Sequence, residues 1–263
     1  MEAFVMSTIL FPGPIFGPIH SRRLGLSLGI NLLPSDGKLC NFDCIYCECG
    51  LNDGHRPDRR MPSREDVRTT LKARLKAMRD NGKLPDNITF SGNGEPTSHP
   101  DFAGIIDDTL ALRDAYAPKS LVSVLTNATR ILKDDVFEAL LRVDNPLLKL
   151  DTVDEDYIRR IDRPTSRYDL PALLKRMEAF NGRCIIQTMF MCGEWENRDV
   201  DNTGDNYVLP WLEAVKRIRP KLVTIYTIDR ETPGKGLRKA PRERLDAIAA
   251  LVQAVGIPTT VSG

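Results

Sequence analysis

Apolar and polar residues follow two different periods along the chain, and their alternation predicts six strands separated by helices. Short apolar or β-branched runs predict strands at residues 26–33, 88–91, 121–126, 147–151, 184–190 and 222–228. Helical spacing with capping and stop residues predicts helices at residues 63–80, 101–114, 133–142, 155–161, 170–180, 207–218 and 242–255. Such alternation favours a parallel sheet with right-handed crossovers, either open and doubly wound or a partial barrel.

The pattern also indicates how the chain is divided. It contains no short repeat, no low-complexity segment and no obvious linker, so we predict one domain over residues 1–263, with an N-terminal extension at residues 1–25. The longest irregular stretches are predicted at residues 34–62 and 191–206. Ligands of parallel sheets gather at the carboxyl ends of the strands, so the residues that follow each strand are the candidates for chemistry.

Composition excludes some classes of protein. The formal net charge of +1 gives no global basic field of the kind that indicates nucleic-acid binding. No apolar run approaches the roughly 18 residues of a membrane helix, and the N-terminal residues lack the basic region of a signal peptide. We therefore expect a cytoplasmic protein without a membrane partner.

Four of the six cysteines are crowded into residues 40–49, which in a cytosolic chain indicates metal or redox chemistry. Thiolates of Cys40, Cys44 and Cys47 can converge from one loop on a soft metal centre, and three ligands leave one iron of a four-iron cluster open. The alternatives are a structural zinc site and disulfides. Cys49 is interpreted as a bystander, and no role is assigned to Cys184 or Cys192.

The spacing Cys-x-x-x-Cys-x-x-Cys, with Tyr46 before the last cysteine, resembles the signature of the radical S-adenosylmethionine (SAM) superfamily. Residues 91–97, Ser-Gly-Asn-Gly-Glu-Pro-Thr, resemble its Gly-Gly-Glu motif, and the second residue of the motif here is Asn93 rather than Gly. The resemblance implies that residues 34–62 form the cluster-binding loop. It also implies that Tyr46, Gly92, Gly94 and Glu95 bind SAM, the last three at its methionine end.

Polar residues at further strand ends complete the candidate site. The resemblance implies that Asn127 touches the ribose or carboxylate of SAM, although Asn also favours a turn there. Lys149 and Asp151 share one face of their strand, so they either line the active site, with Asp151 at the cofactor, or form an ion pair. Gln187, inside an apolar strand, contacts SAM, substrate or backbone. Arg22 and Arg23 meet an anionic substrate, brace the cluster loop or form surface ion pairs.

Over residues 16–236 the chain resembles a wyosine-synthase-related branch of the superfamily. The resemblance implies a partial (β/α)6 barrel, one [4Fe-4S] cluster and SAM, with reduced flavodoxin or ferredoxin as electron donor. Reductive cleavage of SAM then gives a 5′-deoxyadenosyl radical that abstracts hydrogen from the substrate. The substrate stays open among RNA, peptide and protein. Rival functions are a glycyl-radical-enzyme activase, a peptide-modifying radical SAM enzyme and a zinc-stabilised binding module.

Overall fold

The structure is a computed structural model, and it describes residues 9–21, 24–52 and 57–263. The backbone divides into two compact units. The N-terminal unit comprises Leu10–Cys40 and His55–Leu148, and the C-terminal unit comprises Met1–Ile9, Asn41–Gly54 and Lys149–Gly263. Cys40 therefore belongs to the N-terminal unit, whereas Cys44 and Cys47 belong to the C-terminal unit.

The N-terminal unit is built on parallel strands joined by helices. In spatial order its strands are β1 (Ile15–Ser21), β2 (Gly25–Ile30), β3 (Asn87–Phe90), β4 (Leu121–Thr126) and β5 (Asn145–Lys149). The first pair is antiparallel and the other neighbours are parallel. The helices are α1 (Arg64–Asp80), α2 (Phe102–Tyr116) and α3 (Asp134–Arg142), with a short 3₁₀ helix at Pro96–Ser98. The last residue of β5, Lys149, belongs to the C-terminal unit.

Helix α1 illustrates how the sequence encodes these elements. The hydroxyl of Ser63 accepts a hydrogen bond from the N–H of Asp66, whose carboxylate accepts one from the N–H of Ser63. This reciprocal cap satisfies two backbone donors at the start of the helix. The predicted apolar stripe of α1 is buried, which confirms the prediction from helical spacing: Val67, Leu71, Leu75 and Met78.

The described strands of the C-terminal unit form a parallel group and an antiparallel group. Strands β6 (Ile185–Met189), β9 (Leu222–Tyr226) and β11 (Thr259–Ser262) lie parallel in that order. Strand β7 (Met191–Trp195) pairs in antiparallel fashion with β8 (Arg198–Asp199) and with β10 (Leu237–Lys239). The helices are α4 (Glu155–Ile161), α5 (Leu170–Glu178), α6 (Asp205–Ile218) and α7 (Arg242–Ala254). No helix in the described ranges is long and apolar enough to cross a membrane.

The six predicted strands correspond to β2, β3, β4, β5, β6 and β9, and the helix predictions differ from α1–α7 only at their ends. The alternation of strands and helices confirms the α/β class. The prediction that residues 191–206 are irregular is wrong, because β7 and β8 form a hairpin there. Glu196 and Asn197 make its turn with φ of 52° and 59°, and Glu is not a residue that signals such a turn. Strand β1 lies in the predicted N-terminal extension.

Candidate iron–sulfur and cofactor site

In the N-terminal unit, the backbone that leads to Cys40 pairs with the glycine motif after β3. The N–H of Leu39 donates to the carbonyl of Asn93 at 2.8 Å, and the N–H of Glu95 donates to the carbonyl of Leu39 at 3.2 Å. Leu39 and Gly94 form a parallel β-bridge. The motif and the residue before the first cysteine are therefore held side by side by main-chain bonds.

Both glycines of the motif are required by this close approach. Gly94 has φ of +135°, and a Cβ added to it would lie 2.0 Å from the carbonyl oxygen of Leu39. Gly92 has φ of +146°, and its Cβ would lie 2.4 Å from Oδ1 of Asn31. Residues with a side chain rarely adopt such φ values, so backbone conformation and space both select glycine here.

Asn93, which departs from the Gly-Gly-Glu pattern, is fully buried and connects three segments. Its Nδ2 donates to the carbonyls of Pro34 and Phe11 at 2.8 and 3.1 Å, and its Oδ1 accepts from the N–H of Phe11 at 2.8 Å. Its own N–H donates to Oδ1 of Asn31 at 3.1 Å. Nothing in the sequence pattern predicts that this residue connects these segments, because the partners of its side chain are main-chain atoms distant in the chain.

Glu95 joins the end of β3 to the end of β4. Its Oε1 accepts from Thr97 (N–H at 3.1 Å and hydroxyl at 2.6 Å) and from the hydroxyl of Thr126 at 2.7 Å. Its Oε2 accepts from the N–H of Asn127 at 2.6 Å. Burial raises the pKa of this carboxyl, while the hydrogen bonds from Thr97 and Asn127 oppose that rise. The carboxylate is thus a buried acceptor that fixes the turn after β4.

Asn127 brings that turn to the first cysteine. Its Nδ2 donates to Sγ of Cys40 at 3.6 Å. Its Oδ1 accepts from both the N–H and the hydroxyl of Thr129, at 3.1 and 2.7 Å. Of the predicted site residues, Cys40, Glu95 and Asn127 are therefore joined by hydrogen bonds within the N-terminal unit.

In the C-terminal unit, the segment that carries Cys44 and Cys47 is held by the last residue of α4 and the residue that follows it. The N–H groups of Asp43 and Ile45 donate to the carbonyls of Asp162 and Ile161 at 2.9 and 3.0 Å. The carboxylate of Asp43 forms an ion pair with Arg163 at 3.3 Å. These contacts fix the backbone on both sides of Cys44.

Tyr46 connects the same segment to the end of β5. Its hydroxyl contacts the Nζ of Lys149 and the carboxylate of Asp151, and it lies 3.3 Å from Oδ1 of Asp162. Lys149 forms ion pairs with Asp151 and, at 2.9 Å, with Asp162. Its Nζ also lies 4.9 Å from the centre of the Tyr46 ring. The structure therefore shows the ion-pair alternative for Lys149 and Asp151.

This buried quartet, Tyr46, Lys149, Asp151 and Asp162, has two carboxylates for one ammonium group. Burial alone lowers the pKa of Lys149, but the charges of Asp151 and Asp162 outweigh burial and raise that pKa well above its usual value. Burial raises the pKa of Tyr46, and the same carboxylates add to the rise. Burial also raises the pKa of Asp162, against the charge of Lys149. Lys149 is accordingly a charged, paired group.

Sequence reasoning missed Asp162. An acidic residue directly after a helix and shortly before a proline looks like an ordinary helix end, and only the fold shows that its side chain reaches Lys149. Gln187 lies buried in β6 opposite Thr224 of β9, and its carbonyl accepts from the N–H of Leu150 at 3.0 Å. Arg22 and Arg23 lie outside the described residues.

The cysteines are available as thiol ligands, since none of the six forms a disulfide. Within the ranges that the structure describes, no group of three or more His, Cys, Asp or Glu side chains is arranged to hold a metal ion. Three thiols at this spacing suit an iron–sulfur cluster in their chemistry, since thiolates are its ligands. The convergence of Cys40, Cys44 and Cys47 on one cluster stays a prediction.

Comparison with known proteins identifies the family. Residues 35–203 match the radical SAM superfamily, and the chain belongs to it. A relative from Methanocaldococcus jannaschii, UPF0026 protein MJ1312, is 35% identical over 67% of this chain and 53% of its own length. A UPF0026 protein from Helicobacter pylori is 30% identical over 89% of this chain and 72% of its own length. The chain thus spans about half of the first relative's length.

Solved structures share the fold. A radical SAM methyltransferase from Sphaerobacter thermophilus superposes with a TM-score of 0.65 at 15% identity, over 90% of this chain and 65% of that one. TYW1 with a lysine-pyruvate adduct bound gives a TM-score of 0.62 at 16% identity, over 87% and 73%. These matches confirm the predicted partial (β/α)6 barrel of the radical SAM type. The chain is an enzyme of this superfamily, which implies SAM and a [4Fe-4S] cluster.

Proposed function

We propose that this enzyme holds one [4Fe-4S] cluster on Cys40, Cys44 and Cys47 and uses SAM to start a radical reaction on a substrate. The observation that carries the proposal is the anchoring of the cysteine-bearing backbone. Leu39, which precedes Cys40, pairs with the glycine motif. Asp43 and Ile45, on either side of Cys44, donate main-chain hydrogen bonds to the C-terminal end of α4 and the residue after it. A backbone held in this way presents thiols reproducibly, as a cluster site requires.

When bound, the cluster supplies one electron, taken from reduced flavodoxin or ferredoxin, for cleavage of SAM into methionine and a 5′-deoxyadenosyl radical that abstracts hydrogen from the substrate. Because Gly92 and Gly94 have no Cβ atom, a ligand can approach their backbone closely. We therefore propose that this backbone binds the methionine end of SAM. Glu95 supports this assignment by fixing the turns at the ends of β3 and β4.

The C-terminal unit contributes a second group of residues to the proposal. We assign Tyr46 and Asp151 to the edge of the cofactor site, with Lys149 holding both in place by its contacts. Gln187, Arg22 and Arg23 are proposed to face the substrate. A lysine forms a covalent bond to a carbonyl compound only as a neutral amine. Because Lys149 is charged and paired, we do not propose such a bond for it.

Anaerobic reconstitution with iron and sulfide tests the cluster assignment. We expect close to four iron atoms per chain and 5′-deoxyadenosine formation from SAM with a reductant. Single replacement of Cys40, Cys44 or Cys47 by Ala is expected to abolish the product. Cys184→Ala and Cys49→Ala are the matched controls and are expected to retain it. Product formation that survives the triple replacement would refute the proposal, and colourless protein with tightly bound zinc would favour a binding module.

The substrate class is proposed to be RNA, because the chain resembles the wyosine-synthase-related branch over residues 16–236. Because the formal net charge is only +1, the chain has no global basic field to attract RNA. The proposal therefore implies that a local surface recognises the RNA. A cytoplasmic setting is part of the proposal, because crowded thiols suit a reducing compartment. The test compares RNA and protein fractions of a cell extract for stimulated deoxyadenosine formation. Stimulation by the protein fraction alone would favour an activase or a peptide-modifying enzyme instead.

A further inference from the structure

We propose that Asn127 acts on the cluster ligand Cys40 rather than on SAM, by donating an N–H···S hydrogen bond that raises the reduction potential of the cluster. The inference rests on the proposed function, because it needs Cys40 to be a ligand. It starts from the 3.6 Å contact between Nδ2 of Asn127 and Sγ of Cys40. Both residues belong to the N-terminal unit.

The side-chain amide of Asn127 has a defined orientation. Its oxygen accepts two hydrogen bonds from Thr129, one from the N–H at 3.1 Å and one from the hydroxyl at 2.7 Å. The N–H of Thr129 can only donate, so the atom facing it must be the oxygen. The NH₂ group is consequently the end of the amide that points to the sulfur of Cys40.

The backbone of Asn127 is fixed as firmly as its side chain. Its N–H donates to the buried carboxylate of Glu95 at 2.6 Å. The next residue, Ala128, has φ of +65°, and its N–H donates to the hydroxyl of Thr126 at 3.0 Å. A non-glycine residue keeps such a φ only where its surroundings hold it. The position of the donor is therefore set by the fold before any cofactor binds.

A hydrogen bond to a ligand sulfur has a known electrostatic effect on a cluster. Reduction adds negative charge to the cluster and its thiolates, and an N–H donor stabilises that charge, so the potential rises. Removing the donor is expected to lower the potential. Asn127 is thus a positioning and tuning residue, and Glu95 acts through it.

The test compares reconstituted full-length variants. Asn127→Asp keeps the shape of the side chain but replaces the donor by an acceptor, and Asn127→Ala removes the amide altogether. Thr129→Val leaves Asn127 in place but removes the hydroxyl that helps to orient its amide. The matched control is Asn145→Asp, since Asn145 donates to the hydroxyl of Ser123 at 3.1 Å in a neighbouring strand of the same unit.

Two readouts separate the possible roles: the midpoint potential from an EPR-monitored redox titration, and the dissociation constant of SAM. We expect a lower midpoint potential in Asn127→Asp and Asn127→Ala, a smaller decrease in Thr129→Val, and no decrease in Asn145→Asp. The dissociation constant of SAM is expected to stay within about twofold of the wild-type value in all four variants. A twofold change corresponds to a binding free-energy change of about 0.4 kcal/mol.

An unchanged potential in both Asn127 variants that hold a cluster overturns the inference, and so does a loss of SAM affinity at unchanged potential, because Asn127 would then contact SAM. Failure of wild-type protein to form any cluster refutes the proposed function itself. If Asn127→Asp does not fold, Asn127→Ala and Thr129→Val decide the matter by the same potential measurement.

Discussion

The Nζ atom of Lys149 lies 2.9 Å from Oδ1 of Asp162, and the two side chains are 10% and 4% exposed. Lys149 ends β5, whereas Asp162 directly follows α4 and accepts a main-chain bond from Asp43 of the cysteine-bearing segment. The same carboxylate lies near the hydroxyl of Tyr46. One residue therefore links the end of a strand to both the backbone and a side chain of that segment.

Replacing Lys149 by Met is expected to destabilise the protein by about 3–5 kcal/mol, because two buried carboxylates lose their cation. The double variant Lys149→Met/Asp162→Asn is expected to recover part of that loss. Lys216→Met is the control, since Lys216 pairs with Glu213 on the exposed surface of α6 and its loss should cost less than about 1 kcal/mol. Urea unfolding measures all four proteins. An equal decrease in the free energy of unfolding for Lys149→Met and Lys216→Met would show that the buried ion pair stabilises the protein no more than the exposed one.

The pH dependence of Asp162→Asn follows from the raised pKa of Asp162. A carboxyl whose pKa is higher in the folded state binds more protons there, so wild-type stability falls as pH rises above the unfolded value of 3.8. An asparagine side chain does not titrate, so Asp162→Asn lacks this pH-dependent loss of stability. We therefore expect Asp162→Asn to gain stability relative to wild type as pH rises above about 4. A stability difference independent of pH over this range would contradict the raised pKa.

Local patterns were sufficient to predict the main strands and helices, because helices such as α1 bury one regularly spaced face and strands such as β3 and β6 are short, fully buried runs. The thiols and the glycine motif were also recognisable, since their spacing is itself local. Asn93 and Asp162 were not recognisable, because each acquires its role from partners brought near by the fold. The short strand β8 depends on pairing with β7, which no local period reveals.

Cys192 is expected to be a slow thiol. Burial, a hydrogen bond to Asp201 and the charge of that residue together raise its pKa to about 11. At about pH 8 it should react with iodoacetamide roughly a hundredfold more slowly than an ordinary cysteine, and its rate should increase as pH approaches its pKa. Peptide mass spectrometry of labelled protein measures the rate. Asp201→Asn should accelerate labelling, and an unchanged rate in that variant would count against the assigned cause.

Gly94→Ala is expected to separate the glycine motif from the backbone before Cys40. The added Cβ would lie 2.0 Å from the carbonyl of Leu39 at φ of +135°. Gly82→Ala is the matched control, because Gly82 has φ of +67° but nothing within 4 Å of its added Cβ. In Gly82→Ala we expect the free energy of unfolding to fall by about 1–2 kcal/mol, because only the positive φ is unfavourable there. We expect a larger decrease in Gly94→Ala, where the added Cβ also clashes. Reconstituted iron content should fall only in Gly94→Ala, and equal behaviour of the two variants would deny the close approach.

Asn93→Gly makes the motif match the Gly-Gly-Glu pattern, yet it is expected to destabilise this protein. The side chain of Asn93 bonds the main chain of Phe11 twice and that of Pro34 once. Its removal leaves buried backbone groups without these partners, which costs about 1–3 kcal/mol for each unsatisfied group. Asn181→Gly is the control, because Asn181 has φ of +51°, where glycine is at least as favourable. Thermal unfolding should show a lower midpoint for Asn93→Gly and an unchanged or higher one for Asn181→Gly. A neutral Asn93→Gly would mean that the three bonds are replaced by water and that this asparagine does not hold the N-terminal segment.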